Sequence, residues 1–142
     1  KTLIYSSDHF FINWADFPSI FELNDSTLVS HWLEMSGKST YDYDVKVIHS
    51  TDRGKTWSEP ILPHRDGKHA EHGFVSFYKN ETHELEMVWL DGREMAGGHG
   101  HESAGDMNLY TTSFDRDFKQ RHDISLDAMV CECCPTTAVQ LE

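Results

Sequence analysis

The run Ser50-Thr51-Asp52-Arg53-Gly54-Lys55-Thr56-Trp57 constrains this chain more than any other. Read as Ser-x-Asp-x-Gly-x-x-Trp, it meets the demands of a tight β-hairpin turn all at once. Asp52 can accept hydrogen bonds from the amides of its own turn. Gly54 supplies a position of positive φ. Trp57 folds back as an apolar anchor, and Ser50 can bond across the hairpin. Such a turn joins two antiparallel strands and performs no chemistry, so it points to a β-rich architecture and says nothing about activity.

The flanking sequence agrees. Leu3-Ile4-Tyr5-Ser6, Ile20 to Leu23 and Leu28 to Met35 read as strands. From Tyr41 to Val47 the pattern alternates strictly, with Tyr41, Tyr43, Val45 and Val47 on one face. After the turn a further strand runs out near Pro60-Ile61-Leu62-Pro63. A second pass follows: strands over Gly73–Tyr78, Leu85–Leu90 and Met107–Thr112, a glycine-rich loop from Gly92 to Gly105, and Ser113-Phe114-Asp115-Arg116-Asp117, which repeats the start of the turn motif without its glycine or tryptophan. Trp32 and Trp89 stand 57 residues apart, as do Phe17 and Phe74, while Ser50 and Ser113 stand 63 apart. Cys134-Pro135-Thr136-Thr137 echoes Phe17-Pro18-Ser19 as a third beginning. Repetition on this scale predicts an all-β fold of about two four-stranded propeller blades. The expected layout is a flanking strand over 1–10, blades over 11–65 and 70–127, and the start of another over 128–142. Closed propellers use roughly 4–8 blades, so the blade edges predict completion by homo-oligomerisation or by further sequence.

Charge narrows the partners. Twelve Lys and Arg against 24 Asp and Glu give a net charge of −12, with ten histidines to offset it at low pH. That balance disfavours nucleic acid, whose phosphates reward clustered cations, and anionic membrane surfaces alike. No apolar run approaches the roughly 20 residues of a membrane span. The chain opens on Lys1 without a signal-peptide pattern. Three cysteines in one cluster do not form a disulfide framework.

Several words go beyond a generic propeller: Phe11-Ile12-Asn13-Trp14-Ala15-Asp16-Phe17-Pro18-Ser19, His31-Trp32-Leu33, Thr40-Tyr41-Asp42-Tyr43-Asp44-Val45, Pro63-His64-Arg65-Asp66-Gly67, Glu71-His72-Gly73-Phe74, Trp89-Leu90-Asp91-Gly92-Arg93 and Cys131-Glu132-Cys133-Cys134-Pro135-Thr136. With the Ser50–Trp57 turn, which matches an Asp-box, they resemble bacterial sialidase-like (BNR-repeat) β-propeller proteins, mostly of undefined activity. The resemblance covers nearly the whole chain and implies that it corresponds to the N-terminal to central part of a longer six-bladed relative, in an extracytoplasmic setting. It also implies that the Asp-box hairpins face away from the substrate. Asn13–Asp16, Met35–Thr40, Glu71–Gly73, Asp91–Gly105 and Cys131–Thr136 would then gather at the opposite mouth.

Three chemistries fit such a mouth. Known sialidases hold the substrate carboxylate with three arginines and use a Tyr nucleophile paired with a Glu, plus an acidic proton donor. Here Arg93 is the candidate clamp, Asp16, Glu71 and Asp91 the candidate acid/base groups, and His72 a proton shuttle. Neither an arginine triad nor a Tyr–Glu pair can be picked out by eye, and an Asp91–Arg93 salt bridge bracing the glycine loop is the plainer alternative. Second, His99, His101, Cys131, Cys133 and Cys134 offer donors for zinc or copper, against buried packing of Cys133 or Cys134 and solvated histidines. No cofactor is otherwise required. Third, Trp14, Tyr41 and Tyr43 could stack on sugar rings, against a fate in the core like that expected of Trp32 and Trp89. Of these, a glycan-related binding or vestigial unit is favoured over a competent exo-glycosidase.

Overall fold

The computed structural model describes residues 1–95 and 105–141. The protein is all-β. Strands β1 (Ser19–Asn24), β2 (Thr27–Met35) and β3 (Tyr43–Ser50) form one antiparallel sheet in sequence order. A second antiparallel sheet runs β4 (His72–Lys79), β5 (Leu85–Asp91), β6 (Asn108–Phe114) and β7 (Ile124–Ala128), also in sequence order. A 3-10 turn over Arg93–Met95 follows β5, and neither sheet closes on itself.

The duplication read from the sequence is visible as register. Ser19 pairs with His31, Ile20 with Ser30 and Glu22 with Leu28. In the second sheet Ser76 pairs with Val88, Phe77 with Met87 and Lys79 with Leu85, the same pairs displaced by 57 residues. The third strands correspond less simply. Leu28 faces Ser50 and Leu85 faces Phe114, so the position of Ser50 is occupied by Phe114 and not by Ser113. Phe114 is buried in the core, where a serine could not fill the volume.

Two expected strands are absent. The fourth strand of the first sheet is reduced to one bridge, in which Ile61 exchanges both backbone bonds with Val47 at 2.9 and 3.0 Å. Pro60 and Pro63 flank it, and without N–H groups they cannot extend a ladder. Leu3–Ser6 is not a strand either. The edge of β2 beyond Ser19 is taken by residues 9–11, where Phe11 N bonds Leu33 O and Met35 N bonds His9 O. Residues 12–18 leave that edge as a loop.

The sheets share one core. Leu23, Val29, Leu33, Val45 and Val47 from the first pack with Phe77, Leu85, Met87, Trp89 and Phe114 from the second. Trp32 is buried too, with Tyr5 stacked on its other side at 4.2 Å.

The hairpin turn obeys its sequence. Asp52 Oδ1 accepts from Lys55 N and Thr56 N at 3.0 and 2.9 Å, and Gly54 has φ +78°. Ser50 Oγ accepts from Gly54 N at 2.8 Å, inside the turn and not across the hairpin as expected. Donation from Thr56 N and Oγ1, and then from Ser50 Oγ and Lys55 N, holds the Asp52 carboxyl down at about 2. An added Cβ at Gly54 would stand 3.3 Å from Leu28 Cδ1, whereas one at Gly67, also at positive φ, would meet nothing within 4 Å. Gly54→Ala is therefore expected to lower stability by about 1–2 kcal/mol through left-handed strain alone, plus a further loss where Leu28 must yield. Gly67→Ala should show the strain without that excess, and paired urea titrations measure the difference.

Candidate functional site

The loop from 12 to 18, the segment before β4 and the segment after β7 meet around a cavity of about 240 Å³ lined by Asn13, Trp14, Tyr41, Glu71, Phe74, Glu132 and Cys133 among others. Three distant stretches of sequence converge here for a local reason. Phe74 sits at a bulge in β4, between Gly73 and Ser76, with φ +52°, a conformation that costs a bulky residue energy. Both of its backbone groups are held. Its N–H donates to Asp16 Oδ2 at 2.5 Å. Its carbonyl accepts from Thr136 Oγ1 at 2.5 Å, and Ser76 Oγ donates to Thr136 O at 2.8 Å. Asp16 thereby anchors the 12–18 loop, and Thr136 brings in the cysteine segment. Gly73 leaves the room: a Cβ there would collide with Asp16 Oδ2. Asn13 Oδ1 accepts from Ala15 N and Asp16 N at 2.8 and 2.6 Å and shapes the loop.

Glu71, which lines the cavity, accepts from Tyr43 Oη at its Oε1 at 2.6 Å. Burial, and then the Glu71 carboxylate, push the Tyr43 phenol far up. Burial also raises the Glu71 carboxyl, against the pull of the Tyr43 bond. Tyr43 is fully buried and stacked on Phe11 at 3.9 Å. It therefore cannot serve as the expected sugar-stacking surface; it is a core residue whose hydroxyl orients Glu71. Trp14 is 83 % exposed and Tyr41 43 % exposed, both at the cavity.

The other expected catalytic residues lie apart from the cavity. Asp91 is fully buried and accepts from Trp89 Nε1 at 2.7 Å and from Arg93 N, Nε and Nη2 at 3.0, 2.8 and 2.7 Å. Burial opposes its ionisation, but Arg93 and His72 outweigh it and hold the carboxyl below its usual value. Arg93 also pairs with Asp123 at 2.8 Å and lies over the Tyr110 ring at 3.9 Å. Its guanidinium is engaged as a brace and not presented as a carboxylate clamp. His72 is buried, with Nδ1 at 3.2 and 3.1 Å from Tyr43 O and Ala70 O and Nε2 at 3.3 Å from Asp66 Oδ2. Burial lowers its pKa, but Asp66 and Asp91 outweigh it and the net shift is upward. Both nitrogens face acceptors and the ring is fully buried, so His72 is not exposed at the mouth, where a proton shuttle was expected. His64, which sequence reasoning passed over, stacks on it at 3.7 Å and 2°.

The cysteines are all exposed, not packed as small hydrophobes. Cys134 Sγ lies 3.1 Å and Cys133 Sγ 3.4 Å from Cys131 Sγ. The Cys131 thiol is pulled down by donation from the Cys133 amide and its neighbours, and Cys134 is pushed up to about 11 by its bond to Cys131. Together the three could hold a metal ion. His99 and His101 lie outside the described residues. No protein-family model matches this chain, and a search of the curated proteins finds no match.

Burial raises the Asp16 carboxyl to about 6, against the Phe74 bond. An acid whose folded pKa exceeds its unfolded value binds more protons when folded, so stability falls as pH rises from about 4 to about 6. Asp16→Asn keeps the acceptor and removes the charge. It should raise stability at pH 7 by on the order of 2 kcal/mol and flatten that slope, leaving the part owed to Glu71; chemical denaturation at several pH values reads both.

Proposed function

We propose that this chain is a partial sialidase-like propeller whose mouth binds a neutral glycan, without competence for hydrolysis in the chain itself. The observation that carries this reading is the placement of an exposed indole, Trp14, beside a cavity lined by polar groups. An aromatic face stacks on the apolar face of a sugar ring, and carboxylates and amides accept and donate to its hydroxyls. Asn13, Tyr41, Glu71 and Glu132 supply those groups here. Glu71 and Glu132 also repel anionic sugars, and Arg93, the candidate for a sialic-acid carboxylate, is engaged by Asp91 and Asp123. Neutral sugars are preferred on that ground.

The Tyr43–Glu71 pair has the residue types of the sialidase nucleophile, but a buried phenol roofed by Phe11 and pushed up in pKa is held as a donor. It favours binding over turnover. The proposed homo-oligomer is supported by exposed apolar side chains, Ile12, Phe17 and Ile20 beside β1 and Ile124 and Leu126 on β7. A second reading, a zinc or copper ion on Cys131, Cys133 and Cys134, is supported by their converging sulfurs. Elemental analysis of protein purified without chelator, with Cys134→Ser as control, decides it.

For the glycan, neutral and sialylated oligosaccharides are titrated against the protein by calorimetry. The expected outcome is binding of neutral sugars, weakened about 10-fold or more by Trp14→Ala, a loss of about 1.4 kcal/mol, and by Glu71→Gln. Tighter binding of sialosides, or turnover of them, would overturn the proposal.

A further inference from the structure

On the side of the sheet junction that carries His64, a second pocket of about 290 Å³ is lined by Ser36, Asp44, Lys46, His64, Asp66 and His69 among others. Two buried polar atoms of its wall, His64 Nε2 and Ser36 Oγ, have no hydrogen-bond partner. A buried polar atom without a partner calls for an explanation, and a bound ion or ordered water is one that fits a polar pocket.

The tautomer of His64 follows from its neighbours. Nδ1 stands 3.3 Å from Asp66 Oδ1 and acts as the donor, which leaves the lone pair on Nε2. That lone pair points toward Asp44 Oδ1 at 3.7 Å. Two electron-pair donors thus face each other across a gap with no proton between them. Two donors each about 2.1 Å from one ion, at angles of roughly 110–130°, stand about 3.4–3.8 Å apart. A histidine that ligates through one nitrogen while giving its other N–H to a carboxylate is the usual arrangement around zinc. His72 also lies within reach of Asp44, its Nδ1 3.9 Å from Oδ1, but that nitrogen stands 3.2 and 3.1 Å from the Tyr43 and Ala70 carbonyls and Nε2 stands 3.3 Å from Asp66 Oδ2, so both are already engaged.

We propose that His64 Nε2 and Asp44 Oδ1 anchor a divalent first-row metal ion, zinc by its nitrogen and oxygen donors, at the wall of this pocket. His69, exposed on the same wall, supplies a third donor by side-chain rotation, and water from the pocket completes the shell. Asp66 is a positioning residue. Lys46 opposes the ion, but its Nζ stands 3.7 Å from the other Asp44 oxygen, Oδ2. The site is separate from the cysteine cluster at the mouth.

The test uses the full chain with Cys131→Ser, Cys133→Ser and Cys134→Ser, so that no thiolate contributes. Cobalt(II), followed by its d–d absorption, should bind at one equivalent and be displaced by zinc. His64→Gln should abolish binding, and Asp66→Asn should weaken it about 10–100-fold. Because His64→Gln could unfold the protein, the ring nitrogens are also followed by NMR in the otherwise intact thiol-free chain. Zinc should move the His64 Nε2 resonance and leave that of His72 in place. Absence of cobalt binding, binding that survives in folded His64→Gln, or an unmoved His64 resonance would each overturn the assignment.

Discussion

The hydrogen bond from Phe74 N to the Asp16 carboxylate is the contact on which the mouth depends. It joins a loop that precedes the first sheet to the bulged first strand of the second, 58 residues away. A phenylalanine at φ +52° is a strained element, and it persists because both its donor and its acceptor are held from outside the strand. A buried amide without a partner costs about 1–3 kcal/mol. The bond therefore offsets strain, satisfies a buried group and fixes the loop that carries Trp14. The Thr136 contacts do the same for the cysteine segment. Gly73 is required beside Phe74 because the carboxylate occupies the space of a side chain.

Polar groups continue along the junction of the two sheets. Tyr43 and Glu71 lie on one side, and His72, Asp66, Asp91 and Arg93 on the other. Buried ion pairs are weak sources of stability, since desolvation offsets attraction. Their effect here is geometric. The partners of His72 come from three parts of the chain: β3 through Tyr43 O, the 51–71 connection through Ala70 O and Asp66, and β5 through Asp91. A shift of one sheet against the other would leave several charges unpaired at once. The apolar core supplies the adhesion between sheets, and these contacts select one relative placement.

Local rules explain what was legible in the sequence. The turn at Ser50–Trp57 is specified by residues within reach of one another, and it formed nearly as written. Strand alternation and the 57-residue repeat reappear as matched register because cross-strand pairing follows the hydrophobic pattern. Asn13–Ala15, Glu71 and Cys133 line one cavity, a grouping expected from the resemblance to propellers and not from spacing, whereas Met35 and Ser36 line the other pocket and Asp91 is buried. What could not be read was allegiance. Tyr43 and Tyr41 share a face in an alternating strand, yet one is core and the other borders the cavity, because Tyr41 precedes the strand. Asp91-Gly92-Arg93 reads equally as clamp or brace; the engagement of Arg93 by Asp91, Asp123 and the Tyr110 ring favours the brace. His64 stood within the Pro63–Gly67 word but was given no role there. Its significance arises from a neighbour eight residues away in sequence, His72, and from Asp44 on another element.

Hydrogen exchange at the Phe74 amide, followed by NMR, tests the central contact most directly. The account predicts that this amide exchanges slowly in the intact chain and is released in Asp16→Ala, while the Thr56 amide in the distant hairpin keeps its protection. A Phe74 amide that exchanges freely in the intact protein, or one equally protected after Asp16→Ala, would contradict it.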